Sequence, residues 1–217
     1  YLNRAGYECR VVGIPKTIDN DLCGTDHCPG FASAAKYVAT SFMEIKLDSH
    51  VYNYPQIIIV EVMGRHAGWL AASSVLASHK GAGPDLIYLP ERHFSLEQFE
   101  QDVRAVHEKK GDVMVCISEG CQDKYGRFIP EMFEDNNLTT DAFGHKQLGG
   151  AADTLATFVK EKFDIKVRAI EFSLLQRCAA HIASPIDVNE AFQAGKAALD
   201  FALEGYGDFM LGFERIS

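Results

Sequence analysis

Lys16, Thr17, Asp19 and Asp21 lie close together in Gly13-Ile14-Pro15-Lys16-Thr17-Ile18-Asp19-Asn20-Asp21, at the end of the apolar run 9–14. A cation, a hydroxyl and a pair of carboxylates at this spacing can serve phosphoryl transfer. One carboxylate takes a proton from an attacking hydroxyl, the other holds Mg²⁺ through water, and the lysine neutralises a phosphate oxygen. The run 9–14 reads as a short buried strand stopped by Pro15, and ligands of open α/β sheets gather where such strands end. The same residue types also form an Asp/Asn turn that caps a following helix, so the stretch taken alone supports both readings.

Three more strand-sized runs end in residues of interest. Residues 56–62 lead into Met63-Gly64-Arg65 and His66, residues 113–117 into Ser118-Glu119-Gly120, and residues 167–171 towards Leu175-Gln176-Arg177. A turn from strand to helix offers free backbone N–H groups, Gly64 permits close approach to the backbone, and Arg65 adds a guanidinium, so an anion can sit there. A cap with a solvated arginine is the ordinary alternative. His66 and His181 read as packing or surface residues and Trp69 as core; Tyr125 has no assignable role.

These residues need a scaffold, and the periodicity describes one. Strands are expected near 9–14, 56–62, 85–89, 113–117 and 167–172, with a last run at 209–213. Helices are expected near 29–47, 66–79, 95–110, 147–163 and 187–204. Such alternation predicts an α/β fold, doubly wound with mostly parallel sheets. In the helix 29–47, Pro29 sits near the start, and Phe31, Ala34, Ala35, Val38, Ala39, Phe42 and Met43 share one apolar face, which assigns them to core. Between Glu119 and Gln147 the chain turns polar, with Asp135, Asn136, Asn137, Thr139 and Thr140, and reads as a long loop beside a strand end.

With 217 residues the chain can bury a sizeable core. A net charge of −9 argues against a broad nucleic-acid footprint, although a few converging cations can still hold a small phosphorylated ligand. No membrane span or signal peptide is apparent. The six cysteines are scattered and read as reduced thiols. The pairs Cys23/Cys28 and Cys116/Cys121 are spaced more widely than a zinc knuckle, so structural zinc is not expected.

The stretch 13–21 resembles the signature of the phosphofructokinase family, in the lysine-containing form common among pyrophosphate-dependent members. Met63-Gly64-Arg65 is similar to the family's sugar-phosphate loop, Ser118-Glu119-Gly120 to its substrate-binding glutamate, and Leu175-Gln176-Arg177 to its Gln-Arg element. The motifs appear in family order over nearly the whole chain. The resemblance implies a phosphofructokinase-like fold and a glycolytic, cytoplasmic enzyme. It would move a phosphoryl group from pyrophosphate, or ATP, to the C1 hydroxyl of fructose 6-phosphate with Mg²⁺. Asp19 is then the base, Thr17 supports the donor or transferred group, Lys16 and Arg65 stabilise phosphate charge, and Asp21 lies near Mg²⁺. Met63, Gly64 and Glu119 would contact the sugar. Arg177 would bind the 6-phosphate and Arg168 would reach a neighbouring subunit's site, where bidentate guanidinium–phosphate pairing suits arginine. Sites at interfaces imply a homo-oligomer.

The same resemblance implies a division of the chain. Residues 1–47 would be part of a phosphoryl-donor domain and 48–180 the sugar-phosphate domain. A helix at 181–205 would return to the first and a strand at 206–217 to the second. Leu174 and Gln56 depart from the ATP-dependent branch, which places a phosphate-binding histidine and a cross-subunit arginine there. The family's Gly-rich donor loop, expected upstream, is not in this sequence, so a fragment of a longer, self-associating enzyme is expected. The competing expectation is a non-catalytic chain that binds a sugar phosphate and regulates a partner.

Overall fold

The computed structural model describes residues 3–133 and 150–216. Its largest unit is a parallel sheet of four strands, β2 (Gln56–Val62), β3 (Leu86–Tyr88), β4 (Val113–Ser118) and β5 (Lys166–Glu171), in the spatial order β3-β4-β2-β5. Every residue of β2 and β4 is buried. That is why their sequences run Ile-Ile-Ile-Val and Val-Met-Val-Cys-Ile without polar alternation, since a central parallel strand is covered on both faces.

Register fixes which side chain meets which layer. Ile57 pairs with Val113 and Val167 on its neighbours, and with Ile59, Val115 and Ile117 it faces α3 (Leu96–Lys110) and α4 (Ala151–Lys162) through Phe99, Val103, Leu155 and Val159. Ile58, Val60 and Val62 face the other way. They meet Val38 and Phe42 of α1 (Phe31–Ser49) and Leu70 of α2 (Trp69–Ser73). Each such fully buried aliphatic or aromatic side chain contributes about 1.5–3 kcal/mol. The result is a three-layer, doubly wound α/β unit, as the alternation of elements predicts.

The connection out of β2 crosses on the α1/α2 face, whereas the connection out of β4 reaches β5 through α4 on the opposite face. The chain therefore parts between the carboxyl ends of β2 and β4. Such a switch point leaves a crevice beyond the strand ends. Met63-Gly64-Arg65 and Ser118-Glu119 stand on its two sides.

The second sheet is small. β1 (Val12–Gly13) pairs in parallel with β6 (Phe209–Met210), Val12 opposite Phe209 and Gly13 opposite Met210. The run 9–14 thus contracts to the two residues that find a partner strand among those described. α6 (Pro185–Leu203) lies beside it, with Arg10 Nη1 donating to the Ala202 carbonyl at 2.9 Å.

Several expectations change here. α1, which carries the expected boundary at residue 47, is bound by Val38 and Phe42 to the four-stranded sheet. Within 206–217, β6 lies in the two-stranded sheet. β6 continues β1, with Leu211 N–H donating to the Gly13 carbonyl at 3.0 Å and Asp208 N–H to Val11 at 2.7 Å. The helix expected over 66–79 is α-helical only at Trp69–Ser73 and tightens to a 3-10 form at Ser74–Lys80. Trp69 is 54% exposed and not core; the next two positions, Leu70 and Ala71, turn to the sheet in its place. Asp135, Asn136, Asn137, Thr139 and Thr140, with the start of the helix expected from 147, lie outside the described residues.

The amino end of α1 is tied to α6. Gly30, its N-cap, has no side chain, and Asp187 of α6 accepts instead from Gly30 N–H at 2.8 Å, Ser33 N–H at 3.1 Å and the Ser33 hydroxyl. Asp187 is 4% exposed, so its partners would stay unsatisfied without it. Asp187→Ala is expected to cost about 2–3 kcal/mol of stability, and Asp187→Asn less, as read from urea unfolding midpoints.

Candidate functional site

The segment after β1 is held by its own polar side chains. Pro15 is buried and ends the strand, and Thr17 bridges Gly30 ahead of α1. The Thr17 hydroxyl oxygen accepts from Asp19 N–H at 3.1 Å. Asn20 adopts φ 55°, a left-handed conformation that asparagine tolerates, and its Oδ1 accepts from Cys28 N–H at 2.8 Å. These bonds form the turn that the residue types predict. The bonds that make the turn leave Lys16 and Asp21 exposed and Asp19 half-buried at its crest.

Past the end of β2 the backbone is gripped by side chains. Gly64 N–H donates to Glu119 Oε1 at 3.3 Å, and the Gly64 carbonyl accepts from Ser118 Oγ at 2.5 Å. Met63 N–H donates to Gln176 Oε1 at 3.1 Å. Gly64 has φ 128°, and a Cβ there would sit 2.6 Å from the Ala67 carbonyl oxygen, so only glycine fits the turn. Gly120 is constrained too: its Cβ would collide with the Arg65 carbonyl.

These turns share one electrostatic field. Burial and the negative charge of Asp21 raise the Asp19 carboxyl above its ordinary range, while Arg65, His66 and Lys16 oppose the rise. Burial also raises Glu119; the Gly64 N–H and Arg65 pull it down, and Asp19 and Glu171 push it up. Asp19, Arg65 and Glu119, far apart in sequence, thus sense one another directly. Beneath them a small cavity of about 90 Å³ is lined by Glu61, Met63, Glu119, Glu171, Ser173 and Gln176 among others.

Arg177 is exposed on α5 (Leu175–Cys178) and borders a cavity of about 270 Å³ shared with Ile18, Gly30 and Ser33. It thereby shares a cavity with Ile18, the neighbour of Asp19. Arg168 stands apart, midway along β5. It lines a different cavity of about 420 Å³ with Glu44 and Asp48, its guanidinium lies 5.9 Å from the Tyr52 ring centroid, and its Nε is buried without a hydrogen-bond partner. Gln56 is structural: 1% exposed, it donates through Nε2 to the Ser49 carbonyl at 3.1 Å. Leu174 and His181 are exposed. Among the described residues no cluster of three or more His, Cys, Asp or Glu is gathered for a metal, and no helix is long and apolar enough to cross a membrane.

The profile of the family described as Phosphofructokinase matches residues 1–202. This chain belongs to the phosphofructokinase family. It is 46% identical over 98% of its length to a pyrophosphate–fructose 6-phosphate 1-phosphotransferase of Xanthomonas campestris pv. campestris, of which it covers 50%. It is also 40% identical over 97% of its length to a sulfofructose kinase of Alkalicoccus urumqiensis, covering 53% of that protein. The crystal structure of a pyrophosphate-dependent phosphofructokinase from Marinobacter aquaeolei superposes with a TM-score of 0.82 at 37% identity, covering 100% of this chain and 50% of that one. The chain spans about half the length of the relatives it matches.

For this member of the phosphofructokinase family, reasoning from sequence found the turns but missed what holds them. Gln176 belongs to the Gln-Arg element and Ser118 precedes Glu119, but neither sequence position shows the backbone group that its side chain bonds. For Ser118 a signal was present, because a polar residue that ends an apolar strand can satisfy a neighbouring backbone group. His66 is exposed, as expected, yet it lies close enough to Asp19 to act on its charge. Glu61 was hidden in the middle of a strand. Its side chain shares the face of Ile57 and Ile59, where Oε2 accepts from Ala152 N–H at 2.9 Å at the amino end of α4.

Glu61 carries a testable sign. Burial pushes its carboxyl from 4.5 up to about 7, against the pull of the Ala152 N–H and with help from Glu171 and Glu119. The folded state binds the proton more tightly than the unfolded state. Its stabilising contribution is therefore complete below pH 4.5 and is lost as pH rises through 7. A loss of roughly 3 kcal/mol is expected between those limits, and Glu61→Gln should flatten it. Urea midpoints of the two proteins from pH 4.5 to 8 check this.

Proposed function

We propose that the intact protein transfers a phosphoryl group from pyrophosphate to the C1 hydroxyl of fructose 6-phosphate, giving fructose 1,6-bisphosphate and orthophosphate. The observation that carries this reading is the convergence of Asp19, Arg65 and Glu119 on one crevice at a switch point, with Lys16 adding positive charge. Pyrophosphate is preferred to ATP because the relatives named above that share 46% identity, or a TM-score of 0.82, are named for that donor.

The C1 oxygen attacks the near phosphorus in line. The new C1–O–P linkage forms as the bridging P–O bond of pyrophosphate breaks, and the hydroxyl proton passes to Asp19. A carboxylate raised by burial and by Asp21 is a better base near neutral pH than an ordinary one. Lys16 and Arg65 neutralise the transferring and leaving phosphates, because such transfers rest on positioning and charge stabilisation. The Thr17 hydroxyl keeps its hydrogen free for a phosphate oxygen, since its bond inside the turn uses it as acceptor. Met63, Gly64 and Glu119 contact the sugar, and Arg177 pairs with the 6-phosphate.

Asp21, exposed and near Asp19, is the carboxylate that would hold Mg²⁺. Few protein ligands are needed where phosphates and water complete the shell. When bound, the ion supplies charge neutralisation to pyrophosphate. Arg168, remote from this site in its own chain, is offered to a second copy, which makes a homo-oligomer the functional form. A cytoplasmic setting follows from the substrates.

Asp19→Asn in the full-length protein is expected to lower kcat by about 10²- to 10⁴-fold while the affinity for fructose 6-phosphate stays within about twofold. Substantial residual turnover removes Asp19 as base. Arg177→Ala is expected to weaken fructose 6-phosphate binding by about 1.5–3 kcal/mol with kcat less affected. Parallel assays with pyrophosphate or ATP as donor, and with fructose 6-phosphate or sulfofructose as acceptor, identify the substrate pair.

A further inference from the structure

We infer that Gln176 is a positioning residue that sets the Met63-Gly64-Arg65 turn for the sugar phosphate by replacing the strand neighbour that β2 lacks at its end. The ladder between β2 and β5 stops at Glu61 opposite Glu171. Phe172 N–H still donates to the Glu61 carbonyl at 3.1 Å, after which the chain turns away through Ser173 at φ 44°. Met63 N–H therefore points to where a strand should be and is not. Gln176 Oε1 takes that place at 3.1 Å, and Gln176 Nε2 donates to the Ser173 carbonyl at 3.0 Å. One amide thus completes the ladder of β2 and closes the strained turn that follows β5.

Burial agrees with this role. Gln176 is 2% exposed, whereas Leu174 and Leu175 beside it are 55% and 59% exposed. Two leucines lie in solvent while an amide goes inward, the reverse of what transfer free energies favour. The inversion is stable only because both ends of the amide find partners. Its consequence is mechanical. The Met63–Gly64 backbone is held from the β4 side by Glu119 and Ser118, and from the β5 side by Gln176. Arg177 is the next residue along the chain. Gln176 therefore fixes the distance between the turn bearing Arg65 and the helix α5 bearing Arg177, and with it the room for a sugar phosphate between them.

This inference rests on the proposed reaction for its kinetic consequence but not for the tether itself, and the test separates them. Gln176→Met in the full-length protein keeps side-chain length and removes both hydrogen bonds, while Gln176→Glu keeps the acceptor and removes the donor. Hydrogen exchange at Met63 is expected to be at least tenfold faster in Gln176→Met than in the parent, with the β2 amides from Ile57 to Val60 unchanged. Under the same conditions KM for fructose 6-phosphate should rise about ten- to a hundredfold, and Gln176→Glu should recover part of the loss. Unchanged exchange at Met63, or an unchanged KM for the sugar phosphate in an otherwise active enzyme, overturns the inference. Faster exchange at Met63 in a protein whose parent form neither binds nor phosphorylates fructose 6-phosphate upholds the tether and overturns the proposed reaction instead.

Discussion

A parallel strand that outruns its neighbours leaves backbone groups without partners, and this site is organised around one such overrun. Beyond Val62 the ladder of β2 has ended on both sides, yet Met63 and Gly64 stay tightly packed, with Gly64 fully buried. Buried N–H and C=O groups must be paired. Side chains from two other strand ends do the pairing: Gln176 for Met63, and Glu119 and Ser118 for Gly64. Because the same contacts join the carboxyl ends of β2, β4 and β5, the need to satisfy two peptide units makes three separate turns into one rigid rim.

On that rim the chemistry is electrostatic. In a chain with a net charge of −9, Lys16 and Arg65 stand near Asp19 and offset part of the repulsion from Asp21. The carboxylates there are not equivalent. Asp21 is exposed, Asp19 is half-buried and raised, and Glu119 is raised while bonded to backbone. Exposure thus separates a group suited to a cation from one suited to a proton. Burial separates both from Glu61, which serves the amino end of α4.

The two sheets are connected by α1. Its amino end adjoins the turn of Thr17 and is bound to Asp187 of α6, while its apolar stripe lies on the four-stranded sheet. The helix therefore transmits the position of Asp19, which belongs to the small sheet's side, to Met63 and Arg65, which belong to the large one. A helix that is capped by one unit and packed on the other belongs to both.

Sequence alone determined whatever depends on neighbours along the chain. Continuous apolar runs marked β2 and β4 because buried parallel strands have no polar face, and the stripe from Ala34 to Phe42 marked α1 because it follows the helical period. Family likeness set Asp19, Arg65, Glu119 and Arg177 at turns. Only the tertiary structure decided what depends on partners distant in sequence. It exposed Trp69 and buried Gln176, it joined β6 to β1, it set Arg168 apart from Arg177, and it drew Asp19 into the field of Arg65. Hydrophobic periodicity records how much of a residue is covered but not by what. A hydrogen bond across the fold leaves no period in the chain, so these pairings become legible only once the strands have found their register.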